Sequence, residues 1–157
     1  MSITVRSSAF ADGARIPDRH ACKGPDLSPP LTFEGVPAEA RSLALICDDP
    51  DAPTPQPWVH WVIYGLPADT RELPAGVPTD IRLEAPQGAM QGKNSWGTLG
   101  YRGPAPPPGH GTHHYHFQLL ALSEAPKLPP GATKAELLEA VEGQVLARGE
   151  LVGTYSR

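Results

Sequence analysis

Residues 42–64 read SLALICDDPDAPTPQPWVHWVIY, and this stretch decides the fold that the sequence predicts. Ser42–Cys47 is a short apolar run that is typical of a buried strand. Trp58–Tyr64 is rich in the aromatic and β-branched residues that strands favour. The segment between them, Pro50–Pro57, is expected to be a stiff loop, because proline lacks the amide hydrogen that a helix or a central strand needs.

Further short apolar runs predict more strands on both sides of this stretch, namely Ser2–Arg6, Ile81–Leu83, Thr112–Leu122 and Glu150–Tyr155. Proline accounts for 20 of the 157 residues, about 13% against a usual ~5%, so long uninterrupted helices are excluded over most of the chain. The sequence therefore predicts a mainly β fold, an antiparallel β-sandwich with one or two peripheral helices. We expect it to form a single domain over residues 1–157.

One segment, Thr133–Arg148, is predicted to be helical. Thr133 and Glu136 match the pattern of a capping box, and apolar residues recur at helical spacing behind it. Gly149 is expected to end the helix. We expect the apolar stripe of this helix to cover the sheet rather than to bind a partner.

Charge and composition argue against several classes of protein. The chain has 13 Lys and Arg residues against 17 Asp and Glu residues, with no block of like charge, so no nucleic acid partner is expected. No apolar stretch approaches the ~20 residues of a membrane span, and the N-terminal residues lack the apolar segment of a secretory signal. We therefore predict a cytoplasmic protein without a transmembrane segment.

Motifs for metals, cofactors and nucleophiles are absent from the sequence. Cys22 and Cys47 are too few for a disulfide scaffold or a four-thiolate zinc site. His114 and His116 share a strand face and could hold a metal adventitiously, but no HExxH pattern is present. No GxSxG nucleophile motif is present either. The sequence thus predicts no native metal site, no cofactor and no catalytic residue.

The loop after the first strand of the opening stretch contains the first candidate site. Asp48, Asp49 and Asp51 place three carboxylates within four positions, and His60 follows on an otherwise apolar strand. An inward-facing histidine needs a polar partner, which an aspartate or a ligand would supply. A plain turn remains the alternative for the aspartates, and a satisfied structural residue remains the alternative for His60.

Alternation of side chains along this strand gives a further expectation. If His60 points inward, Val62 and Tyr64 share its face, while Val59, Trp61 and Ile63 take the other.

A second candidate site lies at residues 100–117, GYRGPAPPPGHGTHHYHF. Four of the six histidines fall within it, and alternation puts His113, Tyr115 and Phe117 on one strand face. The prolines stiffen the loop, and the glycines let backbone amides approach a ligand closely. Such a loop beside imidazoles and a phenol suits a small anion.

Together these segments resemble the signatures of the phosphatidylethanolamine-binding protein (PEBP) family, also called Raf kinase inhibitor proteins. The first signature is similar to Asp49–Pro53 with His60, and the second is similar to Gly103–Tyr115. The compact prokaryotic branch fits best, on Ser8–Pro17, Ser28–Pro37, Ser42–Pro53 and Gly149–Arg157. The resemblance covers nearly the whole chain.

The resemblance implies a β-sandwich with a shallow anion pocket at one end of its sheets. Carried over position by position, the ligand-binding residues would be Asp49, Asp51, His60, His113 and Tyr115, closed by the backbone of Gly103 and Ala105. Several eukaryotic relatives have glycine at the position of Ala105, so the backbone here would approach a ligand less freely.

Carboxylates beside an anion are unfavourable unless they hold neighbouring histidines protonated. A nearby carboxylate favours the imidazolium form, so we expect His60 and His113 to donate charge-assisted hydrogen bonds to phosphate oxygens. The Tyr115 hydroxyl would be a further donor. Affinity for phosphate monoesters would then fall as the pH rises.

The sequence therefore predicts a soluble, non-enzymatic binding protein. Its ligand would be a small anion such as phosphate, a phosphoethanolamine-type head group, or a phosphorylated protein. The resemblance adds modulation of kinase signalling, phosphatidylethanolamine binding and a homodimer as expectations. Two alternatives stay open: a small hydrolase with Asp49 or Asp51 as base and His113 as acid, and a protease-inhibitor-type interaction protein.

Overall fold

The computed structural model describes residues 2–157 and is mainly β, with 35% strand and 6% helix. The strands are β1 (Thr4–Arg6), β2 (Leu31–Glu34), β3 (Ser42–Asp49), β4 (Trp58–Pro67), β5 (Glu72–Leu73), β6 (Met90–Gln91), β7 (His113–Leu122) and β8 (Val145–Tyr155). Helix α1 (Lys134–Ala140) lies between β7 and β8, and a 3-10 turn covers Asp18–His20. One antiparallel sheet has the strand order β1-β2-β5, and the other has the order β6-β4-β3-β7-β8. The predicted antiparallel β-sandwich is therefore confirmed.

The main hydrophobic core lies between the two sheets. It joins Val5 and Phe33 of the small sheet to Trp61 and Phe117 on the inner face of the large sheet. A second cluster lies on the outer face of the large sheet, where Leu137 of α1 is fully buried. Because β3 is covered on both faces, all 8 of its residues are buried, which explains its unbroken apolar run.

The predicted helix over residues 133–148 is wrong in its second half. Both hydrogen bonds of the capping box between Thr133 and Glu136 are present, but α1 ends after 7 residues. Gly143 then adopts a left-handed φ of 79°, and from Val145 onward the backbone pairs with β7. Pairing at the edge of the sheet therefore overrides the helical spacing of the apolar residues.

Gly149 does not end a helix but lies inside β8, where it allows two backbones to approach closely. A Cβ atom at this position would collide with the carbonyl group of Ile3. The glycine is therefore explained by packing between the N-terminal segment and the sheet, and not by a helix terminus.

The remaining strand predictions vary in accuracy. Strands β1 and β7 begin within two residues of their predicted positions, but residues 81–83 form no strand, and Arg82 makes only an isolated bridge to Met90. The sequence pattern misses β2, β5 and β6, because runs of two to four residues show no periodicity. No helix within residues 2–157 has the length and apolar character needed to cross a bilayer.

A β-bulge near the start of β4 disrupts the predicted alternation. Cys47 pairs with Trp61, but the next residue, Asp48, pairs with Val59, so His60 is the extra residue of the bulge. Val59 consequently packs with the outer cluster beneath α1, while Trp61 belongs to the inner core. The prediction that these two residues share a face is wrong for this reason.

Candidate functional site

The two candidate segments meet at one end of the sandwich. Strand β3 is antiparallel to both of its neighbours, so its last residue, Asp49, lies beside the beginnings of β4 and β7. A cavity of about 220 Å³ opens at this end. Of the seven residues predicted for the site, the cavity is lined by Asp49, His60, Ala105, His113 and Tyr115.

Asp51 and Gly103, the other two predicted residues, lie beside the cavity and support its walls. The Asp51 carboxylate accepts hydrogen bonds from the backbone N–H (2.9 Å) and the ring Nδ1 (2.8 Å) of His114, which ties the loop after β3 to β7. The Gly103 amide donates to Asp26 Oδ1 at 2.6 Å. A Cβ atom on Gly103 would collide with the carbonyl oxygen of His20.

Apolar residues form much of the cavity wall, namely Ala52, Pro53, Trp58, Trp96, Pro106 and Pro107. All of them except Trp96 belong to the two segments that the sequence singles out, residues 42–64 and 100–117. The Trp96 ring packs edge-to-face against His60, with ring centroids 5.0 Å apart. Asn94 holds the loop that carries Trp96, because its Oδ1 accepts the backbone N–H groups of Trp96 and Thr98. An aromatic residue in an irregular loop has no periodic signal, so the sequence could not place it.

His113 is buried, and both of its ring nitrogens are engaged. Nδ1 lies 2.6 Å from Asp49 Oδ2, and because a carboxylate only accepts, Nδ1 carries the hydrogen. Nε2 lies 2.6 Å from Nδ1 of His110, a residue on the exposed loop before β7. Asp49 Oδ1 in turn accepts the backbone N–H of Asp51 at 2.8 Å. A hydrogen-bonded chain thus runs from the buried carboxylate to the surface.

His60 is buried and neutral. Its Nδ1 lies 2.6 Å from the carbonyl oxygen of Arg102, so Nδ1 is the donor, and Nε2 carries the lone pair of the neutral ring. Burial lowers the pKa of His60 to about 4, although the Arg102 carbonyl and the charges of Asp49 and Asp48 oppose this shift. The expectation that carboxylates hold His60 protonated is therefore wrong, because desolvation outweighs their attraction.

The hydroxyl group of Tyr115 is buried without a partner that meets hydrogen-bond geometry in the described part of the chain. Burial, together with the charge of Asp49, raises the pKa of Tyr115, so the hydroxyl keeps its proton and remains a donor. Leaving a buried polar group unsatisfied costs about 1–3 kcal/mol. Such groups call for an explanation, and a ligand or an ordered water would supply the missing partner.

The environment of His60 predicts a fold that weakens in acid. Its folded-state pKa of about 4 lies below the ~6.5 of a free histidine, so the unfolded chain binds more protons between these values. The free energy of unfolding should therefore fall as the pH drops through this range, by about 3 kcal/mol from this residue. His60→Asn keeps a donor for the Arg102 carbonyl but cannot titrate, so urea denaturation should show a smaller loss between pH 7 and pH 4.

His116→Asn serves as the control for this experiment, because His116 is partly exposed on the outer side of β7, where it pairs with Glu150. This variant should retain the acid sensitivity of the parent protein. If His60→Asn loses as much stability as the parent between pH 7 and pH 4, His60 is not the group responsible.

The fold and its end cavity place the chain in a class of small β-sandwich proteins with a pocket at one end of the sheets. The family model described as phosphatidylethanolamine-binding protein matches residues 6–156. The chain belongs to this family, and the predicted membership is confirmed.

Relatives of similar length share the sequence and the fold. The chain is 52% identical over 155 residues to a UPF0098 protein from Methanothermobacter thermautotrophicus, with 99% of each chain covered. The Escherichia coli protein YbcL, described as a new member of the mammalian PEBP family, superposes with a TM-score of 0.91 at 32% identity, covering 100% of this chain and 99% of YbcL. CT736 from Chlamydia trachomatis superposes with a TM-score of 0.88 at 38% identity, covering 99% of this chain and 98% of CT736.

Proposed function

We propose that the protein binds a small anion of the phosphate type in the end cavity, and that one proton enters the site with the anion. The buried hydroxyl of Tyr115 carries this proposal, because it has no hydrogen-bond partner within residues 2–157 and belongs to a side chain that lines the cavity, where an anion would accept its hydrogen. A phosphate oxygen is a suitable acceptor, and a hydrogen bond to a charged group is stronger than one between neutral groups.

The resting protonation states of the surrounding groups explain why a proton accompanies the anion. Neutral His60 holds its hydrogen on Nδ1, so Nε2 presents a lone pair, and the Asp49 carboxylate also only accepts. A fully deprotonated anion would meet repulsion from these atoms. A phosphate monoanion instead donates its own O–H group, or the site takes up the proton as an imidazolium, and either route adds one proton.

The size and lining of the cavity favour a head group over a whole lipid. Its volume of about 220 Å³ lies below the ~300–1,000 Å³ of pockets for drug-sized ligands. Phosphate or phosphoethanolamine is small enough for such a space, and Asp49 also suits an ammonium group. The acyl chains of a phospholipid are too large, so we propose head-group recognition and not enclosure of an intact lipid.

We propose binding rather than hydrolysis because neither Asp49 nor Asp51 is placed to act as a general base on a ligand in the cavity. Asp49 is held by His113 and by the amide of Asp51, and Asp51 itself lies outside the cavity lining. The base and acid of the hydrolase alternative would thus be bonded to each other or displaced from the cavity. A phosphorylated protein would use the same phosphate chemistry, while kinase modulation, a cytoplasmic location and a homodimer stay predictions.

Isothermal titration of phosphate and phosphoethanolamine at pH 6, 7 and 8, in buffers of different ionisation enthalpy, tests the proposal. The Kd should rise with pH, and the number of protons taken up for each phosphate bound should approach one at pH 8, where the dianion predominates in solution, and decrease toward pH 6. Sulfate, which carries no proton in this range, separates the two routes: at pH 8 it should bind more weakly than phosphate if the anion brings the proton, and about equally well if the site becomes an imidazolium. The absence of saturable binding at every pH, or phosphate binding at pH 8 without proton uptake, would contradict the proposal.

A further inference from the structure

His110 lies next to the cavity but not in its lining, and its contact with His113 has no role in the function proposed above. The backbone around His110 is anchored, because its N–H donates to the Pro107 carbonyl at 3.1 Å and the N–H of Gly109 donates to the Arg157 carbonyl at 3.0 Å. The side chain itself is exposed. It can therefore leave His113 by rotating about its own bonds, without any rearrangement of the loop.

The chemistry of an imidazole ring limits what His113 can bind. Each ring nitrogen offers either one hydrogen or one lone pair, in the plane of the ring. Nδ1 of His113 is hydrogen bonded to Asp49, and Nε2 is hydrogen bonded to His110. A ligand in the cavity can therefore hydrogen bond to a nitrogen of His113 only if His110 gives up its place, and this holds for either protonation state of His113.

We propose that His110 is an internal competitor of the anion, so that its hydrogen bond to Nε2 of His113 and ligand binding at that atom exclude each other. The inference rests on the proposed function and adds a means of setting affinity at the same site. Because a typical hydrogen bond makes a modest net contribution, losing the competitor should tighten phosphate binding by about 2- to 10-fold. A residue that merely supported the site would have the opposite effect when removed.

The experiment compares the phosphate Kd of the parent protein, His110→Ala and His110→Asn by isothermal titration at pH 8, where free histidine is neutral. His110→Ala should bind phosphate more tightly than the parent. His110→Asn places an amide N–H near the position of Nδ1–H and should return the affinity toward that of the parent. His116→Ala removes a histidine from the outer side of β7 and should leave the affinity unchanged.

NMR of the histidine side chains provides a second readout. During a phosphate titration of the parent protein, the ring signals of His110 and His113 should shift together with one common Kd, while those of His116 stay in place. An unchanged or weaker affinity in His110→Ala, or a His110 signal that does not respond to phosphate, would overturn the inference while leaving anion binding intact. Absence of saturable phosphate binding in both the parent and His110→Ala at pH 6, 7 and 8 would overturn the proposed function and this inference together.

Discussion

Gly103→Ala is expected to destabilise the protein by about 3 kcal/mol or more, because the added methyl group has no space. The Cβ atom would collide with the carbonyl oxygen of His20 and crowd the Cα atom of Ala21. Hydrogen bonds hold His20 in place, so its backbone cannot easily move away from the added methyl group. The His20 carbonyl accepts a 2.7 Å hydrogen bond from the hydroxyl of Tyr101, and the His20 ring is hydrogen bonded to the Leu27 carbonyl at 2.8 Å.

Gly109→Ala in the same loop is the matched control for this prediction. Nothing lies within 4 Å of a Cβ atom at this position, although φ is 77°, so only backbone strain opposes the substitution. Its cost should be about 1 kcal/mol. Urea denaturation measures the free energy of unfolding of both variants. If the value for Gly103→Ala lies within about 1 kcal/mol of the value for Gly109→Ala, the backbone at His20 can move to accept the methyl group, and the prediction is wrong.

Gly103 is a residue that the sequence motif indicates but whose contacts only the structure shows. The motif contains this glycine, and the family resemblance predicts that its backbone closes the pocket. In the structure its amide faces Asp26, and its lack of a side chain admits the backbone of His20. That contact joins residues far apart in the chain, so no local pattern could have indicated it.

Sequence patterns predict a structural feature correctly when that feature depends only on residues that are close together in the chain. The apolar run of β3 and the capping box at Thr133 depend on neighbouring residues, and both were predicted correctly. The helix over residues 133–148 was too long because its second half pairs with a distant strand, β7. The bulge at His60 likewise depends on the register between β3 and β4.

In the candidate site, too, the sequence predicts some features, and others depend on the three-dimensional structure. Asp49 and His113 could be grouped from motif resemblance, and the structure joins them by a 2.6 Å hydrogen bond. The protonation state of His60 could not be predicted, because it depends on how deeply the ring is buried against Trp96 and Tyr115. The nearby carboxylates alone predict that His60 is an imidazolium, but the cost of desolvating that charge keeps the His60 ring neutral.

Tyr115→Phe is expected to weaken phosphate binding by about 10- to 100-fold while leaving the fold as stable as before or more stable. A hydrogen bond to a charged group contributes about 1.5–3 kcal/mol, which corresponds to this loss of affinity. The same hydroxyl has no hydrogen-bond partner within residues 2–157. Removing it therefore removes an uncompensated buried polar group, with a gain of about 1 kcal/mol in the free energy of unfolding.

Tyr64→Phe is the same chemical change at another buried tyrosine of the large sheet, and it should lower stability while leaving phosphate affinity unchanged. The Tyr64 hydroxyl donates to the Pro129 carbonyl at 2.7 Å and accepts the amide of Ala132 at 3.1 Å, on the outer face of the sheet. Its removal leaves these two groups without their partner, so stability should fall by about 1–2 kcal/mol. Phosphate affinity should not change, because Tyr64 does not line the cavity.

Thermal unfolding and phosphate titration of the two variants together separate a ligand-binding hydroxyl from a structural one. A structural role for the Tyr115 hydroxyl requires Tyr115→Phe to lose stability as Tyr64→Phe does, with affinity preserved. A binding role requires affinity to fall in Tyr115→Phe alone. Because the two variants delete the same atom from similar buried positions on opposite faces of one sheet, any difference between them reflects what each hydroxyl contacts.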